Sequence, residues 1–218
     1  MFVKEIWRYP VKSMAGERLT AATLTENGIE GDRNILVIGA NHRPVTARTH
    51  HKLLGLRGGI SDSGETTING LHWKSPEALQ LVRDTLGEAV TLTHYNGPER
   101  FDILPLLLAT DGAIEHMKLD GRRLRPNIVI GGVTGLAERD WPGRDIEIGE
   151  ALVHPAQLRG RCVMTTYEPD TLKQDLNVLR RIARDLDGTM GLDTAVLRGG
   201  RIAEGDRAVV NPPTSRQS

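Results

Sequence analysis

The residue with the most obvious chemical potential is Cys162, the only cysteine among the 218 residues of the chain. It follows Gly160 and Arg161, and an apolar residue and two threonines come soon after it. Cationic neighbours favour the thiolate, the form of cysteine that attacks electrophiles and binds soft metals. A lone cysteine is also commonly a small buried apolar side chain. The segment 158–166 is therefore compatible with a nucleophile, a metal ligand or a core residue.

Basic side chains recur at the predicted ends of strands, where cations and backbone N–H groups can bind an anion together. These positions are Lys12 with Ser13, Arg33 after Asp32, Arg48, and Arg125 with Asn127. Each segment alone could equally be a polar turn or a weak surface ion pair. Arginine supplies 22 of the 28 basic residues, and its planar guanidinium suits phosphate. A phosphorylated small ligand is therefore one candidate.

Composition excludes several classes of protein. The formal net charge is zero, which argues against binding to nucleic acid and against a polybasic membrane patch. A single cysteine cannot form an internal disulfide or hold a four-thiolate iron–sulfur cluster. The sequence shows no apolar signal segment and no run of roughly 20 apolar residues. We therefore expect a cytoplasmic protein that has neither nucleic acid nor a membrane as a partner.

Periodicity and turn residues predict a mainly β chain with some α structure, of the α+β class. Strands are expected at 2–11, 19–24, 34–38, 53–56, 66–71, 90–94, 127–130, 146–148, 151–153, 191–197 and 208–211. Helices are expected at 76–86 and 174–186, with a shorter one that Thr110 caps and that runs through Met117. Pro126 predicts extended backbone at Arg125. Residues 212–218 are expected to be a disordered tail.

The order of the motifs resembles that of the MOSC family, over about residues 2–210. The motifs are Y-P-V-K-S at 9–13, G-D-R at 31–33, T-A-R at 46–48, R-P-N at 125–127 and R-C with T-T at 161–166. The resemblance implies a β-barrel-like N-terminal region, 1–97, packed on a MOSC domain, 98–211, which is a mixed β-barrel with peripheral helices. The chain departs from the family pattern at Met14 and Arg159, where cysteine is frequent, and at Leu124, where phenylalanine is.

The resemblance further implies the molybdenum cofactor, a pterin whose two dithiolene sulfurs hold the metal. Cys162 would be the metal ligand, and hence the catalytic residue, because a thiolate suits a soft metal site. The residues that the resemblance assigns to cofactor binding are Lys12, Ser13, Arg33, Arg48, Thr110, Asp111, Arg125, Asn127 and Arg161. Lys12, Ser13 and Arg33 would hold the phosphate, and Arg125 and Asn127 would contact the pterin.

Three functions stay open from the sequence. The resemblance implies a molybdenum-dependent oxidoreductase that reduces N-hydroxylated small molecules, such as amidoximes or hydroxylaminopurines, with electrons from a separate donor protein. The second hypothesis is a carrier without turnover, which holds sulfur as a Cys162 persulfide or hands over the cofactor, with a sulfur or cofactor donor protein as its partner. The third is a β-barrel interaction module without chemistry, for which Cys162 would be dispensable.

Overall fold

The chain is rich in sheet and carries three α-helices within residues 1–212, the part that the computed structural model describes. The helices are α1 (Pro76–Leu86), α2 (Asp111–Met117) and α3 (Leu176–Leu186). The predicted mainly β class with α structure is therefore confirmed. Of these described helices, none combines the length and the apolar character that crossing a membrane requires. The predicted disordered tail lies outside the described residues, except for Pro212.

Sixteen strands are described between residues 1 and 212. In chain order they are β1 (Phe2–Arg8), β2 (Glu17–Leu19), β3 (Ala21–Thr25), β4 (Gly28–Ile29), β5 (Ile35–Gly39), β6 (Gly58–Ile60), β7 (Thr66–Ile68), β8 (Leu71–His72), β9 (Val90–His94), β10 (Leu106–Thr110), β11 (Ile128–Gly131), β12 (Ile146–Ile148), β13 (Ala151–Gly160), β14 (Thr189–Arg198), β15 (Gly200–Ala203) and β16 (Ala208–Val210). Eight of them form one sheet in the order β16-β12-β13-β14-β10-β11-β1-β2.

The centre of this large sheet is covered on both faces. Every residue of β10 and of β11 is buried, and these two strands are the parallel pair of the sheet. Continuous apolar runs of this kind are typical of strands without a solvent face. On one face, Val178, Ile182 and Leu186 of α3 pack with Ala109 and Leu124. The sheet therefore provides a rigid frame for the loops at its ends.

Shorter sheets and α1 surround a second core in the N-terminal half. The pairs are β5 with β9, and β6 with β7 and β8. Helix α1 begins at Pro76, after Ser75, whose hydroxyl accepts a hydrogen bond from the Ala78 N–H at 3.1 Å, and it ends at Gly87 with a left-handed φ of 73°. The sequence predicted these bounds, and the structure confirms them. Met14 is completely buried in this core and anchors the turn that contains Lys12 and Ser13.

Strand pairing connects the two predicted halves. β1 pairs with β11 inside the large sheet, and β3 pairs with β15 near the end of the chain. Residues 2–29 therefore complete sheets whose other strands come from the second half. The division at residue 97 stays a prediction from the sequence.

Residues 66–71 form two paired strands, β7 and β8, rather than the one strand expected, because Asn69 and Gly70 make a turn. Two further local predictions are wrong. Residues 53–56 were expected as a strand, but His51–Gly55 is a short 3-10 helix in which the Leu53 N–H donates to the His50 carbonyl at 3.0 Å. Arg125 was expected to be extended, but its φ of 57° and ψ of 49° are left-handed, and its N–H donates to Arg122 at 3.0 Å. In both places a turn with local hydrogen bonds prevails over the residue preference.

Candidate functional site

Cys162 lines a cavity of about 320 Å³. It directly follows β13 and Arg161, and it is partly exposed. Its carbonyl accepts a hydrogen bond from the Thr165 N–H at 3.0 Å, which starts the 3-10 helix Val163–Thr166. The thiol therefore lies in an ordered loop that lines the cavity and is not buried in the apolar core.

The cavity carries a large excess of positive charge. Its basic lining residues are Lys12, Arg33, Arg48, Arg123, Arg125, Arg159 and Arg161, and its acidic ones are Asp102 and Asp193. Seven cations against two carboxylates in a concave, partly enclosed site attract anions with more than one negative charge.

The turn after β1 presents Lys12 and Ser13 to the cavity. The Lys12 N–H donates to the Ile35 carbonyl at 2.9 Å, and Ser13 adopts a left-handed φ of 73°. Burial lowers the pKa of Lys12, although the nearby carboxylate of Asp102 opposes this shift. Within the described residues, the Ser13 hydroxyl makes no hydrogen bond, so it is available to a ligand.

Arg33 is held in place by the buried carboxylate of Asp32, with which it forms an ion pair. Asp32 also accepts a hydrogen bond from the Tyr9 N–H at 2.7 Å. The guanidiniums of Arg33 and Arg125 lie 5.1 and 4.4 Å from the centre of the Tyr9 ring. Cation–π contacts of this kind fix both side chains. Burial raises the pKa of Tyr9, whose hydroxyl donates to the Pro126 carbonyl at 3.1 Å.

Asn127 is completely buried and connects three parts of the site. Its Oδ1 accepts from the Leu107 N–H at 3.1 Å and from Arg33 at 3.3 Å. Its Nδ2 donates to the Trp7 carbonyl at 3.3 Å and to Asp32 at 3.2 Å. All its side-chain hydrogen-bonding capacity is used inside the protein. Asn127 therefore positions Arg33 rather than offering free polar atoms to a ligand.

Arg125 and Arg161 are enclosed cations beside the Cys162 loop. Burial lowers the pKa of each to about 10. Arg161 donates to the Leu124 carbonyl at 2.8 Å and so ties this loop to the turn before Arg125. Within residues 1–212, the Arg125 guanidinium donates no hydrogen bond. An enclosed cation without an acceptor is costly, which favours an anion beside it.

The sequence did not identify the acidic part of the site. Asp102 pairs with Lys12 at 3.2 Å, Arg48 at 2.8 Å and Arg159 at 3.0 Å. Burial raises the pKa of Asp102, but these three cations outweigh burial and hold it below its ordinary value. Arg159 also pairs at 2.6 Å with Asp193, which is 1% exposed. Only the departure from cysteine at position 159 hinted at this network.

Two predicted cofactor residues lie outside the cavity. The Thr110 hydroxyl accepts from the Ala113 N–H at 3.2 Å, which caps α2, and donates to Glu138 at 3.1 Å. Asp111 accepts from the N–H groups of Gly132 and Val133 at 2.9 and 3.1 Å. Thr110 therefore stabilises the start of α2 and Asp111 the turn after β11, and neither lines the cavity, so their placement in the pocket is corrected. The other eight predicted site residues, Lys12, Ser13, Arg33, Arg48, Arg125, Asn127, Arg161 and Cys162, all line the cavity.

The residues present fit an anionic cofactor that brings its own metal ligands. Among the residues that the structure describes, no three His, Cys, Asp or Glu side chains are grouped as a metal site. A metal held at Cys162 would therefore need additional ligands from a cofactor. A single thiol beside a free hydroxyl and several cations matches a phosphorylated pterin dithiolene, whose sulfurs supply soft ligands.

Comparisons with known proteins agree with this arrangement. The sequence model of the MOSC N-terminal β-barrel domain matches residues 1–92, and that of the MOSC domain matches residues 106–209. The chain is 25% identical to human mitochondrial amidoxime-reducing component 1 over 78% of this chain and 67% of that protein. It is 26% identical to human mitochondrial amidoxime reducing component 2, over 82% of this chain and 71% of that protein.

A solved structure supports the fold. The YuaD protein from Bacillus subtilis superposes with a TM-score of 0.52 at 13% identity, over 95% of this chain and 93% of that one. The two domain matches are consecutive, and together they extend over most of the sequence. The chain therefore belongs to the MOSC proteins, with a MOSC N-terminal β-barrel domain followed by a MOSC domain.

Proposed function

We propose that the protein binds the molybdenum cofactor and reduces N-hydroxylated small molecules, such as amidoximes or hydroxylaminopurines. The observation that carries this proposal is that the single cysteine lines a cavity with seven basic side chains. The similarity to proteins named amidoxime-reducing components supports the class of substrate. A cytoplasmic location stays a prediction from the single cysteine.

The proposal assigns a role in cofactor binding to several residues that line the cavity. Cys162 would ligate the metal through its thiolate. Ser13, Lys12 and Arg33 would bind the phosphate by charge-assisted hydrogen bonds, which are stronger than neutral ones. Arg125, fixed on the Tyr9 ring, would lie against the pterin.

Two further cations and one amide complete the assignment. Arg48 would add charge at the exposed rim of the cavity, and Arg161 would hold the Cys162 loop through its bond to the Leu124 carbonyl. Asn127 would act through Arg33, since its own polar atoms are occupied.

The stoichiometry of the proposed reaction shows which reactants the protein needs besides the substrate. Reducing R–NHOH to R–NH₂ and water breaks the N–O bond and consumes two electrons and two protons. When bound, the cofactor supplies the redox metal, while the protein binds and orients it. A single cysteine cannot hold an iron–sulfur cluster, so we propose that electrons come from a separate donor protein.

The test is cofactor content measured in matched variants. Wild type, Cys162→Ser, Lys12→Gln and the exposed control Lys52→Gln are expressed in a host that makes the cofactor. We expect roughly equimolar molybdenum and pterin in wild type and in Lys52→Gln, loss of the metal in Cys162→Ser, and less pterin in Lys12→Gln. Benzamidoxime reduction with a chemical electron donor should follow the metal content. Wild type that lacks molybdenum would contradict the proposal.

The carrier hypothesis is kept because Cys162 is partly exposed beside Arg161, which also favours a persulfide anion. The same preparations separate the two functions. Cyanide converts the outer sulfur of a persulfide to thiocyanate. The carrier is favoured if wild type releases thiocyanate and Cys162→Ser does not, and if wild type contains no molybdenum and does not reduce benzamidoxime. A retained cofactor with turnover would favour the reductase.

A further inference from the structure

A second cavity, of about 280 Å³, adjoins the Cys162 cavity. The two cavities share Arg123, Arg125 and Met164, which form the wall between them. Of the described residues that line the second cavity, none is Cys162 or Lys12. The proposed function uses Arg125 of this lining and gives no role to the rest of the second cavity.

Aromatic rings held by fixed contacts line this second cavity. Trp7, Tyr9 and Tyr167 are the rings concerned. The Trp7 indole N–H donates to Glu5 at 2.7 Å, and the Tyr167 ring stacks on His51 with centroids 4.6 Å apart and an angle of 3°. Rings that are ordered before binding lose little conformational freedom when a planar ligand packs on them. The second cavity therefore offers a preformed surface for an aromatic group.

The second cavity is also strongly basic. Its charged lining residues are Arg57, Arg122, Arg123, Arg125 and Asp170. Asp170 is the acidic one, and it already accepts two hydrogen bonds from Arg122, at 2.8 and 2.7 Å. Within residues 1–212, the guanidiniums of Arg57 and Arg125 donate no hydrogen bond and form no ion pair within 4.0 Å. The exposed Arg57 and the more enclosed Arg125 thus line a space whose one acidic side chain, Asp170, is already paired with Arg122.

We propose that the second cavity binds a small planar aromatic anion of about the size of a nucleoside monophosphate. The anionic group would lie between Arg57 and Arg125, and the ring would pack on Trp7 and Tyr167. Guanidinium forks suit phosphate oxygens, and pockets of roughly 300 Å³ with aromatic walls and a few fixed polar groups are typical ligand sites. In the proposed function the neighbouring cavity holds phosphate through Lys12 and Arg33, which do not line the second cavity. Lys12→Gln and Arg57→Gln therefore test the two sites separately, although Arg125 lines both.

The experiment uses the whole protein from a host that does not make the cofactor, so that it is independent of the proposed redox function. Adenosine 5′-monophosphate, adenosine and inorganic phosphate are titrated, with tryptophan fluorescence and calorimetry as readouts. We expect saturable binding of the monophosphate, at least about tenfold tighter than that of adenosine or phosphate, because only it makes both contacts. In Trp7→Phe the fluorescence change should be lost, while calorimetry still records a heat of binding.

Three variants test where the ligand binds. Arg57→Gln should weaken binding of the monophosphate about tenfold, which is the usual loss in affinity for one charge-assisted contact. Arg43→Gln changes an exposed arginine outside both cavities and should leave the affinity unchanged. Lys12→Gln should also leave it unchanged, although it weakens phosphate binding in the Cys162 cavity. No saturable binding, equal affinity in Arg57→Gln, or loss of binding in Lys12→Gln would each overturn the proposal.

Discussion

Replacing Arg159 by methionine removes one partner of the buried pair beneath the Cys162 cavity. Asp193 is 1% exposed and its carboxylate lies 2.6 Å from the Arg159 guanidinium. Methionine keeps most of the apolar length of the arginine side chain but donates no hydrogen bond. The carboxylate then keeps one side-chain donor, Gln157, at 3.2 Å. The variant also removes the contact between Arg159 and Asp102 at 3.0 Å, but Asp102 keeps Lys12 and Arg48 as partners, so the main cost is that of the unneutralised buried charge of Asp193.

The expected loss in the free energy of unfolding depends on how deeply the ion pair is buried. Breaking a buried ion pair by removing one partner costs about 3–5 kcal/mol. The Arg159 side chain is 16% exposed and Gln157 stays in place, so we expect the lower end, about 3 kcal/mol. For a chain of this length, that free energy corresponds to a fall in Tm of about 6–12 °C.

The assay is a double-mutant cycle by urea unfolding. Adding Asp193→Asn to Arg159→Met removes the unpaired charge and should recover about 2 kcal/mol. Arg184→Met is the matched control, because its pair with Asp185 is on the surface, and it should change the stability little. Strictly additive effects of the two substitutions at 159 and 193, or an equal loss in Arg184→Met, would refute the reasoning.

Three further predictions concern individual side chains. Asn127→Ala removes four buried hydrogen bonds and should cost about 3 kcal/mol in urea unfolding, whereas a loss below 1 kcal/mol would contradict its positioning role. Asp102→Asn removes the carboxylate that pairs with Lys12, and calorimetry should find inorganic phosphate bound several-fold tighter in the cavity; unchanged affinity would count against competition for these cations. Burial raises the pKa of Glu138, so the unfolded carboxyl ionises first and the folded protein loses stability as the pH rises above 4.5. Glu138→Gln should match wild type near pH 4 and be more stable at pH 7, and a pH-independent difference would contradict this.

Elements with local signals could be predicted from the sequence. Pro76 marks the start of α1, and the apolar residues after it repeat with helical spacing up to Leu86. Thr110 likewise caps α2 as expected. The resemblance, however, also placed Thr110 in the cofactor pocket. Its hydroxyl is occupied by the helix cap and by Glu138, so its local role excludes a second one.

The acidic network of the site could not be predicted because its partners are distant in sequence. Asp102 contacts Arg159 across 57 positions, and Arg159 contacts Asp193 across 34. Neither aspartate belongs to a motif with a characteristic spacing. The basic residues were found because they belong to short motifs near predicted strand ends, whereas their counter-ions are set by how the strands meet.

The exchange of strands between the halves has a consequence for engineering and for descent. A chimaera joined at residue 97 would give β11 and β15 new neighbours from a foreign chain, with unmatched side chains along both edges. Exchanging residues 30–97 alone would instead keep β1 to β4 in one chain with the sheets that they complete. Recombination between relatives should therefore succeed more often with two junctions, near residues 30 and 97, than with a single junction at residue 97.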